Sequence, residues 1–196
     1  MARIEGVSEK SGNLLYRAFA WSVRRRLGRD MGPLRGYARS TPVMLAVAGM
    51  ELGMERAHRV DPRLRNLAEL RVAALVGCRF CLDIGSALIR KLGVPESQLR
   101  DLNDYETSAA FSALEKAVLR YTDAMTATPV DIDEENFEFL RRHFDESQIV
   151  ELTAAIAHEN LRARMNHALG YGAEGFTEGA CALPATQPLR HSANVH

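Results

Sequence analysis

Cysteine, tryptophan and aromatic residues are scarce in this chain, and long apolar runs are absent. Its 196 residues include three cysteines and one tryptophan, and aromatics make up 7%. Three is an odd number, which argues against the disulfide framework of a small secreted domain. No uninterrupted apolar stretch approaches the ~20 residues of a membrane-spanning helix. Arg17 breaks the one stretch, around Leu14–Val23, that could serve as a secretory signal. A cytoplasmic protein without a membrane partner is therefore expected. Net charge is lacking too, with 25 Lys+Arg against 25 Asp+Glu. The balance is uneven, however: residues 1–60 hold 11 basic and 5 acidic side chains, and residues 61–196 hold 14 and 20. The Arg24-Arg25-Arg26 cluster with Arg29 has neither the aromatic platforms nor the recognition-helix pattern of a nucleic-acid binder, so no nucleic-acid partner is expected. It reads as a solvated helix face, or as a face meeting the acidic remainder of the chain or a second subunit.

What is present is ordinary globular composition, 46% apolar and 26% charged, in a length suited to one domain. Outside Thr128-Pro129-Val130 and its neighbours there is no alternating β pattern, and no internal repeat is visible. Helix signals follow one another instead. A first helix is expected from about Lys10 to Leu27, and Thr41-Pro42 opens another to about His58. Asp61-Pro62 starts a helix whose Leu64, Leu67, Leu70 and Ala74 step by three or four, as one buried face does. The segment after Gly77 reads as helix to about Leu92, and Pro95-Glu96 opens a short one to Leu102. Ser112-x-x-Glu115 is a capping box for a helix to about Thr126. Asp133 caps a short helix, and Asp145 caps the longest, Glu146 to Leu169, closed by Gly170. The fold class is all-α. Residues 1–40 read as an N-terminal helical extension, 41–182 as the main domain and 183–196 as a mobile tail.

The longest helix carries Ile149, Leu152, Ile156 and Leu169 on one broad face and Val150, Ala154, Ala157, Leu161 and Met165 on another. A helix apolar on two sides is expected in the middle of a bundle. His158, Asn160, Arg164 and His167 lie in that setting. They either satisfy one another and nearby helix ends or line a small polar pocket.

Cys78 and Cys81 form a C-x-x-C pair where a helix begins, so both sulfurs project from one side. Unpaired N–H groups and the helix dipole favour thiolate there, and Arg79 adds positive charge. A low-pKa thiolate one turn from a second thiol is a dithiol able to cycle through a disulfide. A zinc site would need two more ligands, and no second C-x-x-C or paired histidine supplies them, although Cys181 and His158 could be recruited; no metal is expected. A thioredoxin site requires a βαβ setting, and two inert buried cysteines remain an open alternative. Cys181 itself reads as a small buried apolar residue or as a cross-link between subunits under oxidation. No nicotinamide or flavin fingerprint occurs, so no cofactor is expected and electrons must come from an external reductant.

The stretch from Leu64 through Cys78, Phe80, Cys81, Asp83 and Ile84 to Ala87, an L-R-V-A-x-L-x-G helix running into C-x-x-C, resembles the carboxymuconolactone decarboxylase superfamily. Within it, the similarity is to the branch typified by alkyl hydroperoxide reductase D (AhpD-like). His158-Glu159-Asn160 to Gly170, with Glu174-Gly175-Phe176, is similar to the family's C-terminal pattern, and the resemblance covers roughly residues 40–182. It implies an AhpD-like bundle of helical hairpins assembled as a homo-oligomer, a trimer or a larger ring such as a hexamer. It also implies a thiol-dependent peroxidase or disulfide oxidoreductase acting on a hydroperoxide or disulfide. Cys81 would attack the peroxide and Cys78 would resolve the sulfenic acid.

The family pattern places a glutamate 12 residues before the first cysteine and a histidine four after the second, together forming a proton relay. Here these positions hold Asn66 and Gly85. Glu69, one turn beyond Asn66, is the candidate base, unless it is only a helix-surface partner of Arg65. Asp83 and His158 are weaker candidates. Gly85 implies either close packing of another helix or free space above the thiols, and it also fits a sub-branch that carries C-x-F-C-x-D-I-x-S-A without the histidine. Two other readings stand beside the peroxidase. One is a lactone decarboxylase or acid–base enzyme using His158, Arg164 and Glu69, with the arginine holding a substrate carboxylate. The other is a non-catalytic assembly or binding protein with relic cysteines.

Overall fold

The structure is a computed structural model that describes residues 2–8 and 14–177. Cys181, the tail 183–196 and the start of the expected first helix near Lys10 lie outside the described residues. Every regular element among the described residues is helical: α1 (Leu14–Leu27), α2 (Gly32–Tyr37), α3 (Thr41–Arg56), α4 (Pro62–Val76), α5 (Arg79–Lys91), α6 (Glu96–Arg100), α7 (Ala113–Thr126), α8 (Glu134–Arg141) and α9 (Glu146–Leu169). A single 3-10 turn, Leu102–Asp104, follows α6, where the sequence suggested a continuous helix to Leu102. The sequence pattern did not reveal α2. At α3 the cap position belongs to Ser40, whose side chain makes no capping bond, and Thr41 is already helical.

Helix ends are set by local chemistry. The Asp61 side chain accepts the Arg63 N–H at 2.7 Å, and Pro62 occupies the first turn of α4. Ser112 and Glu115 exchange bonds in both directions, as do Asp145 and Gln148, satisfying N–H groups that a helix start leaves free. Gly77 closes α4 in the left-handed conformation, with φ of +76°, and delivers the chain directly to Cys78.

Helix α4 is central and packs against α5, α7 and α9. Its Leu67, Ala68, Leu70, Val72 and Ala73 are buried, and each fully buried leucine contributes about 1.5–3 kcal/mol. Arg71 is buried in the same helix. Its guanidinium grips Asp123 of α7 through two bonds of 2.7 and 2.9 Å and lies over the Tyr105 ring. A second, smaller cluster joins α1, α2 and α3 through Tyr16, Ala20, Leu34, Tyr37 and Met44.

Helix α9 buries one stripe rather than two faces. Leu152, Ile156, Glu159, Ala163 and Asn166, three or four residues apart, point inward. The second face expected to be buried is not: Val150 and Leu161 are exposed in the single chain. Helices α3, α4, α5, α7 and α8 pack against α9 and leave this face open.

Candidate active site

A cavity of about 300 Å³ lies between the main core and the α1–α3 cluster. Phe19, Val23, Leu34 and Tyr37 from the N-terminal forty residues wall one side, and Leu70, Phe80, Ile84 and Gly85 the other. Cys81, Asn66, Glu69, Glu51, Glu159, Arg162 and Asn166 bring polar groups to it, as do Ser22 and Glu55. Apolar walls with a small set of convergent polar groups are the usual form of a small-molecule site.

Both cysteines are free thiols, and they hold different positions. Cys78 caps α5, is fully buried, and its sulfur accepts the Cys81 N–H at 3.3 Å. Cys81 lies one turn into the helix and lines the cavity. The Cys81 thiol donates to the Cys78 sulfur. This bond, with backbone N–H groups of Cys81 and Phe80, holds the Cys78 thiol below its ordinary range against the effect of burial. The same donated bond raises Cys81, and burial and the charge of Glu159 raise it further. One contact opposes them: Asn166 Nδ2 donates to Cys81 Sγ at 3.5 Å. Charge is thus favoured on Cys78, whereas access belongs to Cys81.

The carboxylates converge on one guanidinium. Arg162 donates to Glu159 Oε2 at 2.8 Å and to both Glu51 oxygens at 3.2 Å, and it lies 3.8 Å from Glu69 Oε2. Burial lowers the proton affinity of Arg162, but the charges of Glu159, Glu51 and Glu69 outweigh this and hold it well above its ordinary value. Burial pushes Glu69 up to about 7, with Arg162 opposing, and burial raises Glu159 as well. Among the described residues no group of three or more His, Cys, Asp or Glu side chains is placed to hold a metal ion.

Of the residues singled out from the sequence, Cys81 and Glu69 line this cavity, with Cys78 bonded directly behind Cys81. Glu69 also lies 3.8 Å from Arg65, the neighbour anticipated for it. Asp83, His158, Asn160, Arg164 and His167 do not line it. The Asp83 carboxylate accepts from the N–H groups of Glu174, Phe176 and Thr177 and from the Thr177 hydroxyl, which hold it below its ordinary value despite burial. That carboxylate fastens the chain after α9, setting Phe176 edge-on to Phe80. Asn160 donates to Thr126 Oγ1, and Arg164 donates to the Thr126 carbonyl at 3.0 Å, both toward α7. His158 is buried with its Nε2 3.5 Å from Glu51, and burial lowers its proton affinity. His167 contacts the Gly77 carbonyl. Sequence reasoning gave no site role to Tyr37, Glu51, Glu159, Arg162 or Asn166. The one available signal was polar residues within the buried α9 stripe, where Glu159 and Asn166 occupy core positions.

The carboxymuconolactone decarboxylase family matches residues 42–124. The uncharacterized protein YnjA of Escherichia coli (strain K12) is 34% identical over 173 residues, covering 87% of this chain and 92% of its own length. Among solved structures, the debrominase Bmp8 superposes with a TM-score of 0.77 at 18% identity, covering 88% of this chain and 92% of that one. Bmp8 has also been solved as a cysteine-to-alanine variant in complex with 2,3,4-tribromopyrrole. An Agrobacterium tumefaciens protein of unknown function, a putative antioxidant defence protein AhpD, is 27% identical with a TM-score of 0.65, covering 70% of this chain and 94% of that one. The family match and the Agrobacterium relative support a broadly peroxidase-related or decarboxylase-like function, and the Bmp8 likeness shows the expected AhpD-like helical fold. The chain belongs to the carboxymuconolactone decarboxylase family, in its alkyl hydroperoxide reductase D-like branch.

Proposed function

We propose that this protein is a dithiol peroxidase for small organic hydroperoxides. The observation that carries the reading is the position of Cys81 on the wall of an apolar cavity, with Cys78 bonded behind it. The hydroperoxide enters the cavity, and the Cys81 thiolate attacks its terminal oxygen. An S–O bond forms, the O–O bond breaks and an alcohol leaves. Cys78 then displaces water from the sulfenic acid to form the disulfide. An external dithiol reductant supplies two electrons and two protons to restore the pair.

The lactone reading is less well supported. Arg164 is exposed and turned to Thr126, and Arg162 in the cavity already faces three carboxylates, so neither is free to clamp a substrate carboxylate. A homo-oligomer is also proposed, and the exposed Leu14, Leu15 and Trp21 of α1 support it; sedimentation would report its size. The function is tested by free-thiol count and intact mass before and after one equivalent of cumene hydroperoxide, in a Cys181→Ser background. Rapid loss of both thiols with two mass units, abolished by Cys81→Ser, is expected. Survival of both thiols would overturn the reading.

A further inference from the structure

Peroxide cleavage needs a proton twice: one must leave the attacking thiol, and one must reach the departing alkoxide. The family's relay positions are Asn66 and Gly85 here, and neither can carry a proton. Asn66 in addition has its Nδ2 bonded to the Pro62 carbonyl.

Glu159 lines the same cavity as Cys81 and is only 4% exposed. Its Oε2 is held by Arg162, while its Oε1 is buried without a hydrogen-bond partner. A buried carboxylate oxygen left unpaired is unfavourable, because water no longer solvates it. Receiving a proton removes that cost. Around it stand Glu51 from α3, Glu69 and Arg65 from α4, the two thiols of α5, Tyr37 from α2, and His158 and Arg162 of its own helix. Three carboxylates share one guanidinium, with Arg65 reaching Glu69 alone. The cluster therefore carries excess negative charge, and one added proton relieves it. The charge of Glu159 bears on both thiols.

We propose that Glu159 carries the reaction's proton, taking it from the Cys81 thiol and returning it to the oxygen that leaves when the hydroperoxide O–O bond breaks. The assignment rests on the peroxidase reading. In the first step the Cys81 S–H bond breaks and Glu159 becomes a carboxylic acid, which removes the negative charge opposing the thiolate. In the second, the thiolate takes the terminal oxygen, the O–O electron pair leaves with the alkoxide, and Glu159 protonates it to the alcohol. Glu159 ends as the carboxylate it was. Arg162, Glu51 and Glu69 position it and do not touch the reacting atoms.

The test compares two oxidants on the full chain. With cumene hydroperoxide the leaving group is a strongly basic alkoxide that needs a proton, whereas with peracetic acid it is acetate, which needs none. Glu159→Gln is expected to slow dithiol loss with both oxidants, because Cys81 loses its base in each, and to slow it a further roughly 100-fold with cumene hydroperoxide, where the leaving alkoxide loses its acid as well. Glu159→Asp, which keeps the acid but withdraws it by one methylene, is expected to fall between and serves as the test if the glutamine variant does not fold. Equal loss with both oxidants in a variant of wild-type helicity, or no loss with cumene hydroperoxide, would overturn the role of Glu159 and leave the dithiol chemistry standing. A wild-type protein inert to both oxidants would overturn both.

Discussion

Tyr37 donates a 2.5 Å hydrogen bond to Asn166 Oδ1, and this bond turns the amide nitrogen of Asn166 onto Cys81 Sγ. An amide has one acceptor and one donor end, so fixing the oxygen fixes the nitrogen. The N–H directed at sulfur favours the thiolate form of Cys81 and counters both its burial and the charge of Glu159. A tyrosine on the short helix α2 thereby acts on a thiol of α5 through a side chain of α9.

Tyr37→Phe would leave the Asn166 carbonyl oxygen unpaired in a buried site and free the amide to rotate. A destabilisation of about 1–3 kcal/mol is expected, read from the urea midpoint. The pH profile of Cys81 alkylation by iodoacetamide should move to higher pH, because the sulfur loses its donor. An unmoved profile would mean that the tyrosine holds the amide for packing alone.

This arrangement also marks where the sequence stopped being legible. Helix starts were legible because Asp61, Ser112 and Asp145 act on N–H groups two or three residues away. The dithiol was legible for the same reason, since Cys78 and Cys81 interact within one turn. The cavity gathers side chains from α1, α2, α3, α4, α5 and α9, and no local spacing encodes that meeting. Within α9 the choice failed by a single rotation. Adjacent residues point about 100° apart, so Asn160 faces α7 while Glu159 faces the cavity. The buried stripe identifies Glu159, but only once the exposed face through Val150 and Leu161 is recognised as such.

The carboxylate cluster predicts a pH dependence of stability with a definite sign. Burial lifts Glu69 from 4.5 to about 7, so between these values the unfolded chain releases a proton that the folded chain keeps. The contribution of Glu69 is fully present below pH 4.5 and is lost as pH rises through about 7. Glu69→Gln should flatten this part of the profile and gain relative stability above pH 7, on the order of 3 kcal/mol at one pKa unit to about 1.4 kcal/mol. Urea midpoints from pH 4 to 9 would show it. A Glu69→Gln profile that falls across this window as steeply as the wild type would contradict a carboxyl raised by burial.

Asp83 acts oppositely and elsewhere. Its carboxylate holds four donors of residues 174–177 and is kept below its ordinary value, so its contribution is present at neutral pH and lost on acidification. Asp83→Asn should cost about 2–4 kcal/mol, since bonds to a charged group are worth about 1.5–3 kcal/mol each and only part of them is lost. Limited proteolysis should open near Tyr171–Thr177 before the rest of the chain. The pH profile of Cys81 alkylation should keep its shape, and a profile that lost its inflection would instead make Asp83 part of the thiol chemistry.

Gly85 faces the cavity at the position where the resembling peroxidases carry a histidine. A Cβ there would approach Leu70 Cδ1 to 3.1 Å, close enough to require a small shift of a flexible side chain. Gly85→Ala should therefore be nearly neutral in stability, the roughly 1 kcal/mol gain in helix propensity offsetting the crowding. Gly85→Leu sends three further carbons into the space beside Cys81. It should raise KM for cumene hydroperoxide by about tenfold, the order expected from 1.4 kcal/mol of lost fit, and leave the reaction with hydrogen peroxide unchanged. Gly85→His should behave like the leucine variant rather than quicken turnover, because Asn66 offers the imidazole no carboxylate to pass its proton to. If Gly85→His alone accelerated the reaction with hydrogen peroxide, the absent histidine would be limiting and the glycine would not be there for room.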